Sequence, residues 1–487
     1  MALDSSSQKN FDVVVIGSGP GGYVAAIRAS QLGFKTAIIE REALGGVCLN
    51  VGCIPSKAMI HATHLLHKAQ HDFKSMGLNI KGGIDVDMSA LVKWKQSVCD
   101  KMSGGVNQLL KGNTVTIIKG AAEFKNSKEL NVKTVSGTDV ISGKYFIVAT
   151  GSRPIEISGF PFDEKDICSS TGALAFDQIP KRVVVIGGGY IGLEISSYLK
   201  KLGSDVTIIE ANTSLLSGVV DPECAQVVTR KAEKAGIKII YSAKAKSQKK
   251  TKDGFEITAE VNGKDEIFKA DKILVTVGRR PNGDQTNLKA AGINIDERGF
   301  VKVDAQRRTN ISNIFSIGDI CGQPMLAHKA SYEGVMVAEI ISGANRVYDA
   351  KTVPAVVFTD PEIASAGMTE AECKAKGYND LLISKFPFAA NGKAVAMMET
   401  DGFVKMIADK KTHVLLGVHI VGPEASNLIS EAVLAIEMGA RLEDLALSIH
   451  PHPTLGETMM EAAEATLGHA IHIIQKPLTN ASKSAHA

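Results

Sequence analysis

FDVVVIGSGPGGYVAAIRASQLGFKTAIIE, residues 11–40, and KRVVVIGGGYIGLEISSYLKKLGSDVTIIE, residues 181–210, are two versions of one pattern. Each opens on an apolar run, VVVIG, that reads as a buried strand. Each continues with G-x-G-x-x-G, through Gly17, Gly19 and Gly22 in the first copy and Gly187, Gly189 and Gly192 in the second. A helix follows and stops at Gly33 or Gly203, and a second strand closes on Glu40 or Glu210. In both copies the acid lies 23 residues after the first glycine. An isolated G-x-G-x-x-G is weak evidence, but strand, helix and acid here stand twice where a dinucleotide fold needs them. The first glycine permits the tight turn, the second lets backbone approach a pyrophosphate, and the third lets helix pack on strand. The helix N-terminus offers N–H groups and positive dipole to phosphate, and the acid accepts from ribose hydroxyls.

Glu210 bears on the second nucleotide. A carboxylate there repels a 2′-phosphate, and ANTSLLSG after it holds no arginine, so NAD is expected rather than NADP. A second echo supports the duplication: YFIVATGSRP (145–154) is similar to KILVTVGRRP (272–281), each a strand running into a glycine turn and Arg-Pro. Segments 112–148 and 236–277 alternate in polarity and read as small antiparallel strands, a meander in each repeat. In NIFSIGDICGQPMLAHKASYEG a strand ends at Gly318-Asp319 and a helix begins near Leu326. Asp319 is placed to reach a ribityl or ribose hydroxyl, or else to cap a helix. From about residue 354 the pattern changes to strand, turn and helix, then two strands, then an amphipathic helix in SNLISEAVLAIEMGA.

The chain has 487 residues, enough for about three domains. The expected class is α/β, with two Rossmann-like nucleotide-binding domains and a C-terminal α+β domain. Expected boundaries are 1–154 with 282–353 for the first, 155–281 for the second and 354–475 for the third, with a flexible tail at 476–487. Apolar content of 44% and charged content of 22% are those of a globular protein, and a net charge of +3 suggests neither nucleic acid nor a membrane surface as partner. No run of 18 apolar residues occurs, and the opening MALDSSSQKN has neither a secretory nor a transit pattern, which leads to a cytoplasmic expectation.

Seven cysteines are spread along the chain. An odd, dispersed set is not a secreted disulfide framework, and Cys99, Cys168, Cys224, Cys321 and Cys373 read as small buried hydrophobes. Cys48 and Cys53, in GGVCLNVGCIPSK (45–57), are different: close thiols in a reducing compartment are catalytic, redox-sensing or metal-binding. A metal needs about four ligands and no second cysteine pair exists, so no metal is expected. On a regular helix the two Cα atoms would lie about 8–9 Å apart. A bridge wants roughly 4.4–6.8 Å and therefore a distorted turn, which Gly52 and Pro55 allow.

GGVCLNVGCIPSK resembles the active-site signature of the class I pyridine nucleotide–disulfide oxidoreductases, GG-x-C-x-N-x-G-C-x-P-(S/K)-K. SIHPHPTLGE (448–457) is similar to that family's H-x-H-P-T-x-x-E. The motifs run through nearly the whole chain. The resemblance implies a glutathione-reductase-type fold with FAD in the first repeat and NAD in the second, and a C-terminal dimerisation domain. For FAD it implies Gly17, Gly19, Gly22, Glu40, Gly120, Thr150, Gly151, Asp319, Ala327 and His328, with Lys57 near the flavin. For NAD it implies Gly187, Gly189, Gly192, Glu194, Glu210 and Gly278.

By the same resemblance Cys48 is the thiol that exchanges with substrate sulfur and Cys53 the one beside the flavin. His452 is the base, oriented by Glu457, and His450 is a structural neighbour. The base would come from the second subunit of a homodimer. The proton logic agrees with these roles: each thiol–disulfide step moves a proton, a histidine can carry it near neutral pH, and a carboxylate fixes the tautomer. LNVGCIPSK, MLAHKA and Glu210 are most similar to members that oxidise protein-bound dihydrolipoamide to lipoamide with NAD⁺. Such members serve the lipoylated acyltransferase core of 2-oxo acid dehydrogenase complexes and the lipoylated glycine-cleavage carrier. Glutathione and trypanothione reductases carry basic residues at the position of Glu210 and Lys at that of Ser56. Mercuric reductase has a terminal cysteine pair that is missing after Cys373, and soluble transhydrogenase lacks the paired active-site cysteines. A scaffold without catalysis is disfavoured by the intact thiols, His452 and Glu457. One other feature stands out: His61, His64, His67 and His71 lie near one helical stripe, without an evident acidic or cysteine partner in sequence, and read as a solvated or packed face.

Overall fold

The computed structural model describes residues 9–475, so the expected tail at 476–487 lies outside the described residues. The chain forms two compact units. One takes 9–62, 85–179 and 274–349; the other takes 63–84, 180–273 and 350–475.

In the first unit β1 (Lys9–Ile16), α1 (Pro20–Gln31) and β2 (Thr36–Glu40) are the first repeat. They are followed by α2 (Gly46–Val51), α3 (Cys53–His71, of which 63–71 belong to the second unit), α4 (Met88–Gly112), β3 (Thr116–Lys119), β4 (Ala121–Asn126), β5 (Glu129–Thr134) and β6 (Gly137–Val148). The sheet runs β3-β2-β1-β6-β5-β4, and strand Ile314–Ser316 pairs parallel with β6. The expected meander is only partly right: β3 pairs parallel with β2, and only β4, β5 and β6 run antiparallel. The long helix α4, which sequence reading did not separate, supplies the crossover that a parallel neighbour requires.

Strand alternation explains the two cores. Val13, Val15 and Ile38 pack with Ala25, Ala29, Met336 and Val337 of helices on one face. Val14, Ile16 and Ile39 pack with Phe124, Leu130 and Phe146 on the other. Helix Ala327–Ile341 lies against α1 at backbone range. A Cβ on Gly21 would stand 2.8 Å from Ala330 O, and one on Gly334 2.6 Å from Gly21 O.

In the second unit strands Lys238–Ile240, Asp205–Ile209 and Arg182–Ile186 pair parallel in that order. Strands Ala243–Thr251, Gly254–Val261 and Lys264–Ala270 form the antiparallel meander. The C-terminal sheet orders Ala355–Val357, Glu362–Gly367, Leu415–Gly422, Phe403–Asp409 and Leu381–Pro387, all antiparallel. The 355–367 stretch holds two strands where one was expected. Strand Leu415–Gly422 is buried along its whole length, so it is a central strand rather than a one-faced one. No described helix is long and apolar enough to cross a membrane.

Two charge clusters tie the second unit together. Buried Lys405 reaches Asp221 at 2.9 Å and Glu223 at 2.6 Å, and Asp221 also caps helix Pro222–Lys234 through the Glu223 N–H. His64 lies 3.5 Å from Asp360 and 3.6 Å from Glu399, so the histidine stripe does have acidic partners, brought from distant sequence. Asp360 also pairs with Lys201 at 2.6 Å, and Glu399 with Lys68. Asp360 and then Glu399 push the His64 pKa up to about 9. Burial works against ionised Asp360, but His64 and Lys201 outweigh it and hold its carboxyl well below the usual range.

Two outcomes are expected in urea unfolding. Lys405→Ala, which leaves buried Asp221 without its cation, loses about 3 kcal/mol; an unchanged midpoint would contradict this. Protonated His64 stabilises fully below its unfolded pKa, and the contribution is lost as pH rises through about 9. The gap between wild type and His64→Gln is therefore wide at pH 6 and closed by pH 10; a gap that grows with pH would refute the pairing.

Candidate active site

The first fingerprint loop is built as the glycine spacing requires. A Cβ on Gly17 (φ +95°) would lie 2.5 Å from Ala149 O, and one on Gly22 only 2.0 Å from Gly17 O. Around Gly19 and Gly189 nothing lies within 4 Å of such an atom, so the backbone there is open to a ligand. Gly19 and Gly189 start helices Pro20–Gln31 and Tyr190–Lys201 without any side-chain cap, which leaves N–H donors for an anion.

The two acids do a job that sequence reading missed. Glu40 Oε2 accepts from Ser18 N at 2.8 Å and Ser18 Oγ at 2.7 Å, while Oε1 accepts from Glu42 N at 2.8 Å. Glu210 Oε2 accepts from Gly188 N at 2.6 Å, and Oε1 from Asn212 N and Nδ2 at 2.7 and 2.8 Å. Each acid thus clasps the residue after the first glycine. Ser18 and Gly188 carry no motif letter, so spacing alone could not name them.

Gly120 sits between β3 and β4 and donates its N–H to Glu40 O at 2.9 Å. Thr150 and Gly151 follow β6, and the buried Thr150 Oγ1 has no hydrogen-bond partner among the described residues. An orphaned buried hydroxyl beside an open glycine loop fits a bound cofactor. Asp319 lies in a 3-10 turn, Gly318–Cys321, rather than at a helix cap. Its Oδ2 accepts from Ser152 Oγ at 2.5 Å, and Ser152 Oγ accepts from Arg279 Nε at 2.8 Å. Ala327 begins the 327–341 helix and His328 is exposed beside it. Gly278 has φ +124° and accepts from Ile155 N. Glu194 is buried and accepts from Phe358 N at 3.0 Å, so part of its carboxylate serves the fold.

The cysteine segment grows out of the first loop. Gly45 and Gly46 have φ +91° and +60°, and a Cβ on Gly46 would lie 2.8 Å from Gly19 Cα. The paired glycines therefore let α2 start directly against the open loop. Asn50 holds that start by donating to Leu44 O and Gly46 O, both at 2.9 Å. The helix breaks at Gly52 (φ −139°, ψ −109°), and α3 restarts at Cys53. This break supplies the distorted turn that the cysteine spacing demands. Cys48 and Cys53 stand as two thiols, Cys48 half-buried and Cys53 exposed. The hydrogen bond to Cys53 and then burial push the Cys48 pKa up, while the Lys57 charge favours its thiolate. Lys57 Nζ also reaches Ser56 Oγ at 3.3 Å.

Among the other cysteines, Cys99, Cys168, Cys224 and Cys373 are buried as expected. Cys321 is only half-buried and donates to Gly318 O at 3.2 Å, because it closes the 3-10 turn of Asp319. Burial, followed by the charge of Glu333, pushes its pKa up to about 12.

In the second unit His452 Nδ1 lies 2.8 Å from Glu457 Oε1, and Glu457 Oε2 accepts from Thr454 N at 2.8 Å. Burial opposes ionised Glu457, but Thr454 N–H and His452 hold its carboxyl below the usual range. The acid also opens helix Glu457–Leu467, where the dipole favours it. With Glu457 accepting from Nδ1–H, the basic lone pair falls on Nε2, and the His452 side chain is 77% exposed. His450 differs: its side chain is 10% exposed and both ring nitrogens have protein partners, Glu431 Oε1 at 2.9 Å and Ser448 O at 2.8 Å. It has no nitrogen left for a proton transfer.

The pyridine nucleotide-disulphide oxidoreductase family matches residues 11–334, and its dimerisation domain matches 353–463. The chain belongs to this family. Over 465 residues it is 48% identical to the dihydrolipoyl dehydrogenase of Geobacillus stearothermophilus, covering 96% of this chain and 98% of that one. Over 469 residues it is 47% identical to that of Halobacterium salinarum, covering 96% and 98%. Among solved structures, LpdA of Mycobacterium tuberculosis superposes with a TM-score of 0.86 at 25% identity, covering 93% and 99%. RclA of Escherichia coli, a flavoprotein disulfide reductase, gives 0.81 at 27%, covering 92% and 98%. The chain is accordingly an enzyme of the dihydrolipoyl dehydrogenase kind that uses FAD and NAD(H), and its dimerisation domain supports a homodimer.

Glu457→Gln should keep FAD but lower kcat with a dithiol substrate and NAD⁺ by about 100-fold, since the tautomer and charge of His452 lose their support. Steady-state kinetics on the flavin-loaded variant would show this. Wild-type turnover would remove Glu457 from the mechanism.

Proposed function

We propose that this enzyme oxidises protein-bound dihydrolipoamide to lipoamide with reduction of NAD⁺ to NADH, through a disulfide that forms between Cys48 and Cys53. The observation that carries the reading is the helix break at Gly52, which separates α2, bearing Cys48, from α3, which starts at Cys53, on a segment whose Gly46 lies against Gly19 of the open loop. FAD, when bound, would supply the two-electron link between thiol chemistry and hydride transfer to NAD⁺.

The chain's own residues carry the sulfur and proton steps. His452 Nε2, contributed by the second copy of the dimer, takes a proton from the dithiol. The resulting thiolate attacks Cys48 sulfur of the oxidised pair, and Cys53 leaves as a thiolate. The second substrate thiol then displaces Cys48 and closes the substrate disulfide, its proton passing to the departing Cys48 sulfur. One dithiol is oxidised and one enzyme disulfide reduced, and with NAD⁺ the net products are lipoamide, NADH and a proton. Glu457 steadies the imidazolium that appears in these steps.

FAD falls to Gly17, Gly19, Gly22, Glu40, Lys57, Gly120, Thr150, Gly151, Asp319, Ala327 and His328 in this reading. NAD falls to Gly187, Gly189, Gly192, Glu194, Glu210 and Gly278. Glu210 disfavours the 2′-phosphate of NADP. The division is into an FAD domain (1–154 and 282–353), an NAD domain (155–281) and a dimerisation domain (354–475). The partners are the lipoylated acyltransferase of 2-oxo acid dehydrogenase complexes and the lipoylated glycine-cleavage carrier, in the cytoplasm.

With FAD-loaded protein and dihydrolipoamide, NADH is expected to appear rapidly from NAD⁺ and at least ten times more slowly from NADP⁺. Cys53→Ser should retain FAD and lose the reaction. Absence of turnover in flavin-loaded wild type would overturn the assignment, and equal rates with NADP⁺ would overturn the role of Glu210.

A further inference from the structure

We propose that Glu333, which no motif singles out, is a positioning residue of the flavin site, holding the Asp319 turn against the helix that carries Ala327 and His328. The inference rests on the reading of those three residues as FAD contacts.

The Glu333 carboxylate is fully buried on helix Ala327–Ile341. Its Oε1 accepts from Arg307 Nε at 2.9 Å and pairs with Lys329 Nζ at 3.1 Å. Its Oε2 accepts from Gly318 N at 2.7 Å. The Lys329 ammonium is buried as well and also reaches Gly322 O at 3.4 Å, across the end of the same turn. Burying an acid with two cations gains little stability over an apolar filling of the same volume, so the cluster calls for another account.

Gly318 provides it. The residue has φ +76° and lies where strand Ile314–Ser316 gives way to the 3-10 turn. Its N–H points to Glu333, and the next residue is Asp319. The Asp319 turn is therefore held twice: by Glu333 through the N–H of the preceding Gly318, and by Ser152, itself bonded to Arg279, through the Asp319 carboxylate. The helix bearing Glu333 is fixed in turn by the close backbone approach to α1 at Gly21 and Gly334, and by Arg28 to Glu339 at 2.8 Å. One carboxylate thus locks the turn of Asp319 to the start of the helix that presents Ala327 and His328.

The geometry makes the test sharp. A carboxylate can accept on both oxygens, but an amide cannot. In Glu333→Gln either Gly318 N–H or the Arg307–Lys329 pair meets an NH₂ group. Glu333→Asp keeps the charge but withdraws it by one methylene. FAD titration of the full-length apoprotein should show a dissociation constant raised about tenfold in E333Q and to a lesser extent in E333D. The visible circular dichroism of bound flavin should shift in the direction seen for Asp319→Asn. Wild-type FAD affinity and spectrum in both Glu333 variants would overturn the proposal. Asp319→Asn then separates the causes: weakened FAD in that variant alone leaves the flavin reading standing, and unchanged FAD in all three removes that reading too. If E333Q does not fold, E333D decides. If neither folds, the proposal also fails, because Glu333 then serves the fold as a whole.

Discussion

Everything in the nucleotide-binding parts of this molecule depends on one repeated contact: the carboxylate at the end of the second strand closes on the backbone just after the first glycine. Glu40 binds Ser18 and Glu210 binds Gly188, and Gly17 N and Gly187 N bond to Ile39 O and Ile209 O beside them. The clasp fixes the turn, the turn fixes the start of the helix, and the helix start aims its N–H groups. In the first unit the chain extends further. Gly46 rests on Gly19, α2 grows from that contact, and the break at Gly52 delivers Cys48 to Cys53. The thiols are thus placed by the same loop that leaves open space around Gly19.

Function follows from how charge and exposure are divided. Cys48 is half-buried, beside the charge of Lys57 and a second thiol, while Cys53 is exposed. His452 is exposed and backed by an acid that is itself held by Thr454 N–H, so one ring nitrogen is committed and the other is offered. His450, two residues away, has both nitrogens committed to protein. The two histidines of this loop thus differ in the hydrogen bonds they make, a difference that sequence position does not show.

Much of this was legible in the sequence, for identifiable reasons. The glycine fingerprints are steric requirements, so their residues announce themselves. A bridge between the cysteines needed a distorted turn, which Gly52 and Pro55 both allow, and the helix breaks at Gly52. What stayed hidden were contacts made by ordinary residues across long separations. Ser18, Asn50 and Ser152 serve the site through backbone or hydroxyl groups that many residue types could offer. The acids facing His64 lie about 300 residues away, so a local reading of the histidine stripe found none. The parallel pairing of β3 was missed because its alternation suits either pairing, and the crossover helix α4 that decides between them was not separated from its surroundings. Burial along the whole of strand Leu415–Gly422 depends on packing on both faces, which alternation does not encode.

The central claim is that electrons from nicotinamide and from a dithiol meet at Cys48 and Cys53. The most direct measurement is anaerobic: oxidised, FAD-loaded enzyme receives one equivalent of NADH, is alkylated, and is mapped by mass spectrometry. The account predicts that label appears at Cys48 and Cys53 together, follows NADH and not NADPH, and is absent before reduction. Equal labelling of both residues with and without NADH would contradict it.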